Sequence, residues 1–149
     1  MTPTQILILA LARACVGEAG WDSADSGECA AVTFVHLKRA RDTGADPART
    51  VQKYSAALKT GKHTWIRGLS LDGRRPKTFP RNLNWDAVHA PRWQKVLDTV
   101  RGILDGRILD PCPESEIYGS RQDWEIKTWR GFARVCADRG WGNQFGKKE

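Results

Sequence analysis

Several kinds of chemistry are missing from this chain. The four cysteines, Cys15, Cys29, Cys112 and Cys136, include no CxxC pair, and the three histidines stand apart from them, so the spacing of a zinc ribbon is absent. There is no glycine-rich phosphate loop, and the acidic run EAGWDSADSGE lacks the ordered ligand spacing of a calcium loop. Neither a metal nor an organic cofactor is therefore expected. No stretch approaches the roughly 20 apolar residues that span a bilayer, and no internal repeat or low-complexity segment interrupts the chain.

What is present fits one small domain, 1–149, long enough to complete a core and too short for a second module. Hydrophobic residues make up 40% and the mean hydropathy is -0.53, as in a soluble globular protein. Lys and Arg number 24 against 17 Asp and Glu, a formal charge of +7 that favours a negatively charged partner: nucleic acid, acidic lipid or an acidic wall polymer. The opening MTPTQILILALARA has the short apolar run and Ala-x-Ala-like end of an export signal. Nothing basic precedes that run and its helical pattern continues to Glu18, so a cleaved signal peptide is not expected.

Leu7, Leu11, Ala14, Cys15 and Glu18 recur at spacings of three and four, which predicts a first helix that turns Glu18 toward the packed side. A second, central helix is expected after Asp22 or Asp25, with Asp25 and Glu28 spaced as a capping box and AAVTFVHL apolar on most faces. Asp46 and Pro47 read as a cap and first-turn proline for a short helix with Val51, Tyr54 and Leu58 inward. Trp93, Val96, Leu97, Val100, Ile103 and Leu104 form the stripe of a stronger helix that Gly106 ends.

Between the last two lies KTGKHTWIRGLSLDGRRPKTFPRNLNW, rich in glycine, proline and basic residues. It reads as a long surface loop bordering a cleft, with room for a short β-hairpin near the Asp72-Gly73 turn. In the tail, Ser120 to Asp123 could cap a helical turn, and Phe132 to Cys136 alternates weakly like a strand. The fold class expected is mainly α.

Glu18 raises the chemical question. Burial and the negative end of a helix dipole both disfavour a carboxylate, and an acid that keeps its proton is what protonation of a glycosidic oxygen requires. The bland alternative is a helix-end residue whose head meets water or an arginine. Seven tryptophans, Trp21, Trp65, Trp85, Trp93, Trp124, Trp129 and Trp141, accompany it. Trp93 reads as core, whereas Trp21 and Trp85 are candidates to stack on sugar rings. Asp22, Asp25 and Glu28 are the nearest partners for a two-carboxylate mechanism; without one, a hydroxyl of the sugar itself must attack, with the same glutamate as acid and then base. The cysteines read as thiols packed as small apolar fillers or as one to two disulfides.

ARACVGEAGW (Ala12 to Trp21) and GECAAVTFVHLKR (Gly27 to Arg39) resemble the SleB-type cell wall hydrolases of the lysozyme-like group. TVQKYSAAL, the helix from Pro91 and the IYGS segment follow in a matching order. PCPESEIYGS and GFARVCADRGWGNQF also look like the C-terminal part of small phage and prophage relatives. The resemblance implies a lysozyme-like fold, Glu18 as catalytic acid, and Tyr118 lining the sugar site beside Trp21 and Trp85. It further implies a Cys112–Cys136 disulfide, with Cys15–Cys29 tying the first helix to the second.

The activity so implied is cleavage of the β-1,4 bond between N-acetylmuramic acid and N-acetylglucosamine in peptidoglycan. A lytic transglycosylase is expected before a water-using muramidase, since no second carboxylate can be named. Lys62, Arg67, Arg74, Arg75, Lys77 and Arg81 would attract acidic wall polymers. The protein would act as a monomer in the bacterial periplasm or cell wall, delivered from a phage virion or by a lysis route, with no stable nucleic-acid or membrane partner. Two other classes compete: a nucleic-acid binder using RGLSLDGRRPKTFPR and the indoles, and a silent wall-binding or virion protein that keeps the scaffold.

Overall fold

The computed structural model describes residues 1–60, 63–122 and 130–149. Lys62, Asp123, Trp124 and Trp129, named above, lie outside them. Helices dominate: α1 (Pro3–Ala19), α2 (Ser23–Ser26), α3 (Glu28–Thr43), α4 (Pro47–Tyr54), α5 (Ala56–Thr60) and α6 (Ala90–Leu104) precede a small sheet of β1 (Ile117–Gly119), β2 (Phe132–Val135) and β3 (Gln144–Lys148). Among the described residues no helix is long and apolar enough to cross a membrane.

Arg13 is the one charged residue between Met1 and Glu18, and α1 accordingly buries most of its circumference, packed by α3, α4, α5 and α6. A capping box starts it: the Thr2 hydroxyl accepts from the Gln5 N–H at 3.1 Å, and the Gln5 side chain accepts from the Thr2 N–H at 2.9 Å. The centre of the molecule thus belongs to α1 as much as to α3.

The start of α3 departs from the expected capping box. Asp25 lies inside α2, and Gly27, left-handed at φ 86°, makes the corner between the two helices. Glu28 therefore enters α3 as its first residue and is carried inward, where it is 5% exposed. Asp22 and Asp25 turn to α6, pairing with Arg92 and Lys95 at 3.3 and 3.4 Å.

Asp46 caps α4 through the Arg49 N–H at 3.0 Å, with Pro47 in the first turn. The helix breaks at Ser55, whose extended backbone (φ -81°, ψ 111°) separates α4 from α5. The break leaves Tyr54 43% exposed, in place of the inward position its spacing suggested, while Val51 and Leu58 are buried. In α6, Trp93, Val96, Leu97 and Val100 are fully buried against α1.

No strand forms in the described part of residues 59–85, contrary to the hairpin expected there. Its carbonyls meet side chains instead of a partner strand. Arg13 donates to the carbonyls of Arg67 and Leu69 at 2.7 Å, the Trp93 indole to Ser70 at 2.8 Å, and the Trp85 indole to Gly73 at 3.0 Å. Ile66, Leu69 and Phe79 enter the core, so the segment is packed down and is no free excursion.

The sheet forms from the tail, antiparallel in the order β1-β3-β2, with Phe145 opposite both Tyr118 and Val135. Phe145 and Trp141 pack on Ala31, Val32 and Val35 of α3. Disulfides join Cys15 of α1 to Cys29 of α3 and Cys112 to Cys136. These contacts bring the tail against the end of α1.

Candidate active site

Glu18 is the last charged residue of α1, half-buried at its C-terminal turn. Its Oε1 accepts from the Ser55 hydroxyl at 2.9 Å and from the Ala57 N–H at 2.8 Å. Both donors exist because of the break between α4 and α5. The first N–H groups of a helix have no partner within it, and that of Ala57 is given to the carboxylate.

Gly17 permits the approach. A Cβ there would sit 2.6 Å from the Ala57 Cβ, a distance no side chain tolerates, so α5 can lie against α1 only where glycine stands.

Tyr118 arrives from β1. Its hydroxyl is 2.7 Å from Nε2 of His36, which is fully buried on α3. Burial pushes the Tyr118 phenol well above its usual 10.0, and the negative charge of Glu18 pushes it further, against the opposing pull of Arg39 and of the Ser55 hydroxyl. Glu18, Ser55 and Tyr118 thus form one electrostatic group. His36 is held down to about 3, chiefly by burial and then by the charge of Arg39, so it is a neutral imidazole in this setting.

Glu28, expected as a cap or second acid, is tied to the tail. Its carboxylate accepts from the N–H groups of Gly142 and Asn143 at 2.9 and 3.3 Å and from the Asn143 side-chain amide at 2.6 Å. The same amide donates to the Glu18 carbonyl at 2.7 Å. Beside it, the Trp141 indole donates to the Ser26 carbonyl at 2.8 Å.

Trp21 belongs to an aromatic group with Trp65, Phe79, Trp85 and His89. It stacks on Trp65 with centroids 5.4 Å apart at 14° and meets Trp85 edge-on at 5.9 Å. His63 covers Trp65 in turn at 5.1 Å and 21°. The position of Trp85 corrects its assignment to sugar stacking: it is 3% exposed and its indole N–H is bonded to Gly73, so neither ring face is offered to a ligand. Trp21 is half-buried, with one face against Trp65. Trp65 is half-buried between Trp21 and the exposed His63.

Of the basic residues, Arg74 pairs with Asp72 at 3.3 Å, and Arg75 donates to the carbonyls of Phe79 and Pro80 at 3.2 and 3.0 Å. Lys77 and Arg81 stand exposed. Among the described residues no three His, Cys, Asp or Glu side chains converge as a metal site would require.

Ser55, His36, Arg39 and Asn143 lie in segments quoted for the resemblance but were not expected at the site. The Asp46-Pro47 cap marks the start of α4, but no local signal in the sequence marks its end at Ser55. Comparison with protein-family models, with curated proteins and with solved structures finds no match in any of the three.

Proposed function

We propose that the protein cleaves the β-1,4 bond between N-acetylmuramic acid and N-acetylglucosamine in peptidoglycan, as a lytic transglycosylase with Glu18 as its single catalytic carboxylate. The proposal includes a lysozyme-like arrangement of the helices, on the resemblance of residues 12–39. The observation that carries it is the fixing of the Glu18 carboxyl at a helix end by Ser55 and Ala57, within electrostatic reach of Tyr118 and three residues from the aromatic group at Trp21.

In this mechanism Glu18 acts from its protonated form, and gives that proton to the glycosidic oxygen as the bond to C1 of the muramoyl unit breaks. The C6 hydroxyl of that unit attacks C1, and its proton passes to the Glu18 carboxylate, which restores the acid. No water is consumed. Ser55 and Ala57 keep the carboxyl oriented through both transfers.

The preference over hydrolysis rests on the neighbouring acids. A water-using glycosidase places a second carboxylate about 5 to 9.5 Å from the first. Glu28 is bound to Gly142 and Asn143, and Asp22 and Asp25 pair with Arg92 and Lys95, which supports a reading with one catalytic carboxylate. Mass spectrometry of digested peptidoglycan separates the two reactions. The expected ends are 1,6-anhydromuramoyl; reducing muramic acid ends alone would reject the transglycosylase reaction.

A further inference from the structure

Arg39 and Lys53 converge on one ring. The Arg39 guanidinium carbon lies 4.3 Å from the centroid of Tyr54 and the Lys53 ammonium 5.3 Å from it. Two cations on one phenol ring are attracted by its π face but repel each other. Neighbouring cations are matched: Lys38 pairs with Asp110 at 2.7 Å and Arg41 with Asp42 at 3.4 Å. Among the described residues no carboxylate pairs with Arg39 or Lys53. Arg49 adds a third positive group, lining with Lys53 and Tyr54 a small pocket of ≈ 170 Å³.

This cationic corner adjoins the Glu18 group. Tyr54 directly precedes Ser55, which holds the Glu18 carboxyl, and the field of Arg39 reaches both Tyr118 and His36. Arg39 is half-buried while Tyr54 is 43% exposed, so an anion can approach the ring from solvent and meet a partly dehydrated guanidinium. The planar fork of arginine suits a carboxylate, which it can hold through two parallel hydrogen bonds.

We propose that Arg39 and Lys53, gathered on Tyr54, form an anion subsite of the Glu18 site that binds a carboxylate on the stem peptide of the glycan strand. The inference rests on the peptidoglycan reading and adds to it a basis for substrate choice. Neutral N-acetylhexosamine chains lack the group, so the subsite would favour peptide-bearing peptidoglycan strands over chains that carry no carboxylate.

The test uses the full chain and two substrates: peptidoglycan strands with free stem-peptide carboxylates, and the same strands with those carboxylates amidated. For the wild type, amidation is expected to raise KM about tenfold, the loss of one charge-assisted contact, with kcat within about threefold. Arg39→Gln is expected to raise KM about tenfold on the free strands and to show no further rise on the amidated ones. Lys53→Gln, at an exposed position, is expected to raise KM about twofold to fourfold. Equal wild-type KM values on the two substrates, or full discrimination kept by Arg39→Gln, would overturn the subsite while leaving the glycosidase reading intact. Cleavage of neither strand would overturn that reading and the subsite with it. The wild-type comparison needs no variant to fold.

Discussion

The side-chain amide of Asn143 donates to two oxygens at once, the carbonyl of Glu18 at 2.7 Å and Oε2 of Glu28 at 2.6 Å. It joins the end of α1 to the start of α3 through a residue 125 positions along the chain from Glu18. The carbonyls at a helix end lack intrahelical donors, so this contact satisfies a group that packing would otherwise strand. It also gives the buried Glu28 carboxylate one of its partners.

Asn143→Ala is accordingly expected to destabilise the fold by about 2 to 3 kcal/mol, since a carbonyl and a buried carboxylate each lose a donor. Urea unfolding would measure it. A loss below about 0.5 kcal/mol would mean that the amide does not bridge the two helices.

Ser55→Ala tests the positioning of the acid. With one donor to Oε1 removed and the Ala57 N–H retained, kcat is expected to fall about tenfold with KM unchanged. Gly17→Ala should act more strongly through the same relationship, because its new methyl group would push α5 off α1. Steady-state kinetics on peptidoglycan, with circular dichroism to check folding, separates a displaced carboxyl from a lost fold.

The pH dependence of stability should carry the signature of His36. Its folded value of about 3 lies below the ordinary 6.5, so the unfolded chain takes up a proton first as pH falls. Stability from this group is complete above about pH 6.5 and is lost progressively toward pH 3. Between pH 7 and pH 5 the loss is expected to be about 2 kcal/mol for the wild type. His36→Gln should remove that part of the slope, as read by urea unfolding at the two pH values.

Trp85→Ala is expected to cost about 3 to 5 kcal/mol of stability, as for a large buried ring. Trp85→Phe should fold and keep its KM for peptidoglycan. A large rise in KM in a folded Trp85→Phe protein would return the residue to the sugar site.

Periodicity made the long helices legible. The stripe Trp93, Val96, Leu97 and Val100 is the buried side of α6, and the apolar run before Glu18 is α1, because a face that must be buried leaves its spacing in the sequence. Local rules failed where distant contacts decided. Asp25 and Glu28 have capping-box spacing, yet the left-handed Gly27 moves the helix start past Asp25, and the tail claims Glu28. Pro76, Pro80 and the Asp72-Gly73 turn suggested an open loop with a hairpin, yet Arg13, Trp85 and Trp93 supply its carbonyls with donors from the core. At the candidate site the glutamate was visible as a carboxyl in an apolar run. Ser55, His36 and Asn143 were not, since each reaches Glu18 or Tyr118 across 37 residues or more of chain.

Digestion of purified peptidoglycan by the wild type and by Glu18→Gln, with fragment ends identified by mass spectrometry, bears most directly on the function. The expected result is 1,6-anhydromuramoyl ends from the wild type and a loss of at least about a hundredfold in rate from Glu18→Gln, the scale of a general acid's contribution. Equal rates from the two folded proteins would contradict the account, as would a wild type that leaves the glycan strands whole.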